Sequence, residues 1–188
     1  KPFYYSVLLE DFNIKAEYTV ADHSAFYRFT FPESERSGIL TSILQKGEIT
    51  ITGDDVIEGF MTSPYGRDQG RRFYFYSKFS KPISTFGSWS PEYTLEGERQ
   101  KSGNNTGIWS SFSTTGNEVI HVKTGFSFIS TGQARENMEK EIPGWDFEEL
   151  KERGRKIWND ALGKIRVKGG TIDQRIIFYT ALYRVFGR

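Results

Sequence analysis

Residues 124–148 read Thr124-Gly-Phe-Ser-Phe-Ile-Ser-Thr-Gly-Gln-Ala-Arg-Glu-Asn-Met-Glu-Lys-Glu-Ile-Pro-Gly-Trp-Asp-Phe-Glu148, and within this stretch the chain changes from strand to helix. Upstream, short runs with a period near two predict strands. Ser130-Thr-Gly-Gln133 has the form of a capping box, in which the serine hydroxyl accepts an early amide proton and the glutamine reaches back. We therefore predict a helix through Glu141, ended by Pro143-Gly144.

Two more helices are predicted after this one. Asp146-Phe-Glu-Glu149 is a second cap, and its carboxylates suit the positive end of a helix dipole. The apolar residues that follow form one stripe: Phe147, Leu150, Ile157, Trp158, Ala161, Leu162 and Ile165. Gly163 or the Gly169-Gly170 pair ends this helix. Thr171-Ile-Asp-Gln174 is a third box, and it opens a last helix that is apolar on nearly all faces.

Residues 3–130 favour a large antiparallel sandwich, because eight to ten short strands alternate with turn residues. The predicted strands include Tyr4–Leu9, Ile14–Val20, Ala25–Phe31, Gly38–Ile43, Glu48–Gly53, Val56–Met61, Arg72–Phe79, Ile108–Phe112 and Val119–Ser130. In the third of these strands, Tyr27, Phe29 and Phe31 form a buried face and the opposite face is mixed. Glu96–Gly107 has no periodicity and predicts a long exposed loop.

Composition excludes several classes of function. The chain has 188 residues, no cysteine and a net charge of +1 from 25 basic and 24 acidic side chains. A disulfide or thiolate metal site is impossible, and the mixed charge disfavours nucleic acid and anionic membranes as partners. No stretch approaches the roughly 20 apolar residues of a membrane span. Because strand-like residues begin at Tyr4, we expect the chain to be cut from a longer protein at both ends.

Three stretches in order resemble family 92 of the glycoside hydrolases, the calcium-dependent exo-acting α-mannosidases found widely in gut bacteria. They are residues 124–148, Trp158-Asn-Asp-Ala-Leu-Gly-Lys-Ile165 and Phe178-Tyr-Thr-Ala-Leu-Tyr183. Residues 4–17 and 27–32 are similar to the family's N-terminal domain. The resemblance thus spans nearly the whole chain.

This resemblance implies a mainly β fold with three parts. Residues 1–130 would form most of a β-sandwich of the supersandwich type, and residues 131–170 a helical linker. Residues 171–188 would form the first helix of an α/α barrel that lies beyond the chain. The implied partners are mannose-containing glycans and that catalytic barrel. The implied location is the periplasm, the cell surface or the exterior.

The family's acid and base carboxylates and its calcium ligands sit on the barrel, so the resemblance implies no catalytic or metal residue in this chain. Two departures from the family pattern mark candidate interdomain residues. Arg184 stands where the family usually has histidine, and His23 lies where a Thr-Glu-Arg sequence is common. His23 and His121 are the only histidines, and no third ligand lies near either in sequence, which disfavours a metal site.

Aromatic side chains are the other candidates for binding. Trp89, Tyr93 and Trp109 could each stack on a sugar ring, and Trp89 lies in a turn-like context. The competing interpretation is that all three fill the sandwich core or its rim.

Three hypotheses follow from these observations. The chain is part of an inverting α-mannosidase and inactive alone, or a stand-alone carbohydrate-binding sandwich, or a structural interaction domain.

Overall fold

The structure is a computed structural model that describes residues 1–63 and 69–186. Its strands are β1 Tyr4–Leu9, β2 Ile14–Val20, β3 Ser24–Phe31, β4 Ser34–Ile43, β5 Gly47–Ile51, β6 Val56–Thr62, β7 Arg72–Phe79, β8 Thr85–Trp89, β9 Thr94–Glu96, β10 Gln100–Gly103, β11 Thr106–Thr114 and β12 Glu118–Ser127. Its helices are α1 Thr131–Glu141, α2 Phe147–Leu162 and α3 Ile172–Phe186, and Glu10–Phe12 form a 3₁₀ turn. Within the described ranges we find no helix whose length and apolar content would carry it across a bilayer.

The strands form two antiparallel sheets packed face to face. The large sheet has the order β1-β2-β3-β12-β7-β6-β5-β10, and the small sheet has the order β4-β11-β8-β9. Between them lies one apolar core, whose buried members are Phe31, Ile43, Ile49, Ile51, Ile57, Phe75, Phe79, Ile108, Phe112, Ile120 and Val122. The predicted sandwich and its mainly β character are confirmed.

Strand β3 has the predicted buried face and the predicted mixed face, and the mixed face is partly covered by helices. Phe31 lies in the core between the sheets, with Tyr27 and Phe29 packed against it. On the opposite face Phe26 is fully buried and packs against a helical cluster that includes Phe147 and Leu150. The alternation of β3 was read correctly, but the helices that cover its second face come from residues far along the chain.

The prediction of a long loop at Glu96–Gly107 is wrong. Residues Gln100–Gly103 form β10, which pairs antiparallel with β5 at the edge of the large sheet. The pairing depends on backbone hydrogen bonds, so a strand of polar residues can form it without an apolar alternation. Trp89 likewise belongs to strand β8 and not to a turn.

The three predicted helix starts are present. The Ser130 hydroxyl accepts the Gln133 amide proton at 3.0 Å, and the Asp146 carboxylate accepts the Glu149 amide proton at 3.0 Å. Thr171 and Gln174 form a complete reciprocal box, with bonds of 3.2 and 2.9 Å. The Gln133 side chain donates to neighbours within α1 and does not reach back.

Helices α1 and α2 lie on the outer face of the large sheet, opposite the small sheet. Helix α1 approaches β12 so closely that a Cβ on Gly125 would lie 1.9 Å from the Ala134 carbonyl oxygen. Helix α3 touches α2 through Trp158 and Tyr183, whose ring centroids are 5.0 Å apart. No side chain that the structure describes on α3 is fully buried, and Ile177 is 68% exposed.

Candidate functional site

The outer face of the small sheet carries the two tryptophans that sequence reasoning selected. Ile108 and Phe112 of β11 point into the core, so the intervening Trp109 points outward. Trp109 pairs with Leu40 on one side and with Gly87 on the other. In the next row across the sheet, Trp89 stands opposite Gly107. The two indoles therefore lie on the same face of adjacent strands.

A repeated Gly-x-Trp spacing positions these indoles. Gly87-Ser-Trp89 lies on β8 and Gly107-Ile-Trp109 on β11, and the antiparallel register places each tryptophan against the glycine of the other segment. A Cβ on Gly87 would lie 2.6 Å from the Trp109 ring, and a Cβ on Gly107 would lie 2.7 Å from Trp89 Nε1. Only glycine leaves room for the rings to lie against the backbone in this way.

Further contacts hold Trp89 in place. The Thr106 hydroxyl donates to the Trp89 carbonyl oxygen. The Trp89 indole N–H is buried and has no hydrogen-bond partner among the residues that the structure describes. Such an unpaired donor costs free energy, and a phenylalanine at this position would avoid that cost.

An open groove of about 630 Å³ runs above the two rings. Its apolar part is extended by Leu40, which is 58% exposed. Arg36 and Glu96 supply opposite charges at its border, with the Arg36 guanidinium carbon 6.0 Å from the Trp109 ring centroid. Thr94 and Ser90 add hydroxyl groups. The groove thus combines an aromatic floor with hydrogen-bonding groups at its edge.

Tyr93 does not belong to this groove. Its hydroxyl accepts a hydrogen bond from the Lys101 ammonium at 2.9 Å, and the same nitrogen lies 4.4 Å from the ring centroid. The residue is 50% exposed. The structure therefore brings together two of the three aromatic candidates and separates the third.

Sequence reasoning missed Arg36, Leu40 and Glu96 because the register of four strands assembles the groove. The repeated Gly-x-Trp segment was the available signal, since two such segments on adjacent strands can pair reciprocally.

Several carboxylates on the turns and helices of the described structure have ion-pair partners. Glu139 pairs with Arg135 at 2.8 Å, and Asp55 lies 3.7 Å from the Lys78 ammonium. Glu148 pairs with Lys151 and also with Arg28. Hydrogen bonds from these two partners, with Lys151 contributing most, lower the pKa of Glu148 against the opposing effect of burial. A lowered pKa keeps this group ionised and unsuited to serve as a general acid at neutral pH.

The two interdomain candidates lie on different elements. The His23 backbone N–H donates to Glu141 at 3.0 Å, and the ring Nδ1 is also 3.0 Å from that carboxylate. This contact links the β2–β3 turn to the end of α1. Arg184 is exposed on α3. The interdomain roles of both residues stay predictions.

His121 is the other histidine, and it lies under the helical layer. Its ring centroid is 5.3 Å from that of Phe26 and 6.4 Å from that of Phe147. Across residues 1–63 and 69–186, no group of three or more His, Cys, Asp or Glu side chains is arranged to hold a metal ion.

Comparison with known proteins shows which family of domains this chain is similar to. Residues 1–127 match the Glycosyl hydrolase family 92 N-terminal domain, and residues 133–187 match the Glycosyl hydrolase family 92 catalytic domain. An uncharacterized secreted glycosidase of Arthroderma benhamiae is 30% identical over 98% of this chain and 28% of its own length.

Two solved structures from Bacteroides thetaiotaomicron are also similar. A family GH92 alpha-mannosidase is 30% identical over 96% of this chain and 26% of its own, with a TM-score of 0.85. A family GH92 inverting mannosidase is 26% identical over 98% of this chain and 25% of its own, with a TM-score of 0.90. The chain thus spans about a quarter of the length of these relatives. With its N-terminal domain matched over residues 1–127, this chain belongs to glycosyl hydrolase family 92.

Proposed function

We propose that this chain is the accessory sandwich and the start of the catalytic domain of a longer α-mannosidase. The observation that carries the proposal is the match to both family domains in order, at residues 1–127 and 133–187. The proposed division is a sandwich at 1–130, a linker at 131–170 and the first barrel helix at 171–188. The similarity to two mannosidases over about a quarter of their length supports this division.

The proposed reaction is hydrolysis of a terminal α-mannoside with inversion. An inverting glycosidase needs an acid and a base carboxyl roughly 6.5 to 9.5 Å apart, with the pKa of the acid raised. Among the described residues, the carboxyls whose pKa is shifted are Glu17, Glu118, Glu148 and Glu152, and each is shifted downward. The family resemblance implies that both catalytic carboxyls lie on the barrel, and the lowered pKa of these four groups makes none of them a suitable acid. The first barrel helix connects this part of the chain to the remainder, which would supply both.

Calcium is the proposed cofactor of the whole enzyme, as the family resemblance implies. The described residues do not fit a calcium site, because none of their acidic side chains cluster in groups of three. We therefore assign the calcium ligands outside this part of the chain and derive no catalytic step through the ion.

Mannose-containing glycans are the proposed substrates, and the proposed location is the periplasm, the cell surface or the exterior. One relative has been solved in complex with mannoimidazole, and another is named a secreted glycosidase. A calcium-dependent enzyme that acts on glycans is consistent with such a location.

The experiment compares the full-length protein with residues 1–188 alone on an aryl α-mannoside, with calcium or with EDTA. We expect the full-length protein to release mannose in calcium and to lose activity in EDTA. Residues 1–188 should release none. Proton NMR at early times should show β-mannose as the first product, as inversion requires.

Two outcomes would contradict parts of this proposal. Appreciable turnover by residues 1–188 would show that the catalytic carboxyls lie within this chain. A full-length protein that hydrolyses another glycoside and leaves α-mannosides intact would refute the substrate.

A further inference from the structure

We propose that the groove on the outer face of the small sheet is a glycan-binding site that holds a mannopyranose ring of an uncharged glycan. The choice of mannose rests on the proposed function, whereas the site itself rests on the geometry of Trp89, Trp109 and their neighbours. Its role is to hold the glycan, because the groove contains no paired acid and base carboxyls.

The chemistry of the groove matches that of a sugar ring. A pyranose has apolar C–H groups on its faces and hydroxyl groups around its edge. Trp89 and Trp109 offer large aromatic surfaces for the C–H face, and such surfaces contribute strongly to binding at low entropic cost. Arg36 can donate hydrogen bonds to hydroxyls, and the Glu96 carboxylate can accept them. The two charges have opposite signs, which favours a neutral ligand over an ion.

The aromatic floor is fixed before any ligand arrives. The reciprocal Gly-x-Trp pairing holds each indole against the opposite strand, with Gly87 and Gly107 leaving the space that a side chain would fill. A rigid surface loses little conformational entropy when it binds, so preorganisation strengthens the affinity of a small contact.

The stability of the sandwich alone does not explain why tryptophans occupy positions 89 and 109. Both tryptophans lie on the outer face and keep part of their surface exposed, so they are not members of the core between the sheets. Trp89 retains a buried N–H without a partner in the described structure, a cost that phenylalanine would not have. Leu40 beside them is 58% exposed. Together they form an aromatic patch with a polar border, which is typical of a binding surface.

The position of the groove leaves it accessible to a glycan in the described structure. Helices α1 and α2 cover the outer face of the large sheet. The groove lies on the opposite side of the sandwich, where only side chains of β4, β8, β9 and β11 and the residue after β8 line it.

The test titrates residues 1–188, which the proposed function makes inactive, with α-linked mannotriose and measures the Kd by isothermal titration calorimetry. We expect saturable binding by the wild type, and Trp109→Ala or Trp89→Ala should weaken it about ten-fold, the usual cost of losing an aromatic contact. Tyr93→Ala is the matched control, since it removes an exposed aromatic ring outside the groove. Its Kd should equal that of the wild type.

Two further variants keep the test decisive if the tryptophan variants misfold. Arg36→Ala and Glu96→Gln lie at the exposed border, and each should raise the Kd several-fold while the melting temperature stays within a degree or two of the wild type. If the tryptophan variants unfold, these border variants decide the question. Absence of mannotriose binding by the wild type would overturn the site, as would unchanged affinity in folded groove variants.

The outcomes also separate this inference from the proposed function. If the full-length protein hydrolyses α-mannosides and the groove variants leave the mannotriose affinity of residues 1–188 unchanged, the groove alone is overturned. Groove-dependent binding of cellotriose in place of mannotriose, with no α-mannoside hydrolysis, would overturn both the mannose assignment and the proposed enzyme.

Discussion

Replacing Glu17 with glutamine should remove the most strongly bonded buried charge in the described part of the chain. Glu17 lies on β2 and is 3% exposed. Its carboxylate accepts hydrogen bonds from Arg28 at 2.8 and 2.9 Å and from the Tyr4 hydroxyl at 2.5 Å, and the Lys15 ammonium lies at 3.1 Å. Arg28 also stacks on the Phe147 ring at 4.2 Å. The carboxylate therefore helps attach α2 to the sheet.

The pKa of Glu17 gives the size of the effect. Burial acts to raise this pKa, but hydrogen bonds from Arg28, Tyr4 and Lys15 outweigh burial and lower it from 4.5 to about 2. At about 1.4 kcal/mol per pKa unit, the ionised network contributes about 3 kcal/mol to the free energy of unfolding at neutral pH. The folded-state pKa lies below the unfolded one, so this contribution is complete above pH 4.5 and declines as the pH falls toward 2.

The assay is urea unfolding of the wild type and Glu17→Gln at pH 7, 5 and 3. Glutamine should lower the free energy of unfolding by about 3 kcal/mol at pH 7. Between pH 5 and pH 3 the gap between the two proteins should narrow by about 2 kcal/mol, because only the wild type loses the ionised contribution.

Glu152→Gln is the matched control, because Glu152 is an exposed carboxylate on α2. It should leave the free energy of unfolding at pH 7 nearly unchanged, because solvent screens an exposed ion pair. The reasoning is refuted if Glu17→Gln and the wild type lose stability in parallel between pH 5 and pH 3.

Two further predictions concern the contact between sheet and helices. Gly125→Ala should lower the free energy of unfolding in urea by at least about 2 kcal/mol, because the new Cβ would meet the Ala134 carbonyl oxygen. Gly116→Ala is the control and should be near neutral, because nothing lies within contact distance of that position. Equal effects of the two substitutions would contradict the close approach of α1 to β12. Burial, and to a smaller extent the charge of Arg28, lowers the pKa of His121, so its NMR titration midpoint should fall below 6.5. Because the folded-state pKa lies below the unfolded one, the protein should lose stability as the pH falls through that region. A midpoint above 6.5 would contradict this burial.

The helix starts could be predicted from sequence because each is a local hydrogen-bonding event. Ser130, Asp146 and Thr171 each accept an amide proton from three residues downstream. Such a cap is favourable without any contact to residues distant in sequence. Except for β10, the strands of the large sheet were found for a similar reason, since alternation of apolar and polar residues indicates which face meets a core.

The environment of Glu17 could not be predicted, because it depends on a second layer. On β2, Lys15, Glu17 and Thr19 alternate with less polar residues and have the pattern of a solvent-exposed face. The helical layer covers that face, and Thr19 is fully buried with its hydroxyl donating to the Phe3 carbonyl oxygen at 2.8 Å. A polar face is thus compatible with burial when every group finds a partner.

The groove could not be predicted for a different reason. Trp89 and Trp109 are 20 residues apart, and their common face depends on the register between β8 and β11. If the register slipped by one residue, every side chain of the strand would move to the opposite face of the sheet. Glu96 was assigned to a loop, although it ends β9 and borders the groove.

The attachment of the helices to the sheet also determines the direction of the chain after α1. Lys123, 5% exposed on β12, donates from its ammonium to the Ile142 carbonyl oxygen at 3.0 Å, just beyond α1. Burial and the charge of Lys78 lower the pKa of Lys123, so its hydrogen bonds and the 4.3 Å contact with the Trp145 ring have to offset a real desolvation cost. A buried cation bonded to the Ile142 and Gly144 carbonyl oxygens fixes the direction in which the chain leaves α1. Helix α2 is fixed in turn by Phe147 and Arg28. The sandwich therefore sets the orientation of α2, which contacts α3 through Trp158 and Tyr183.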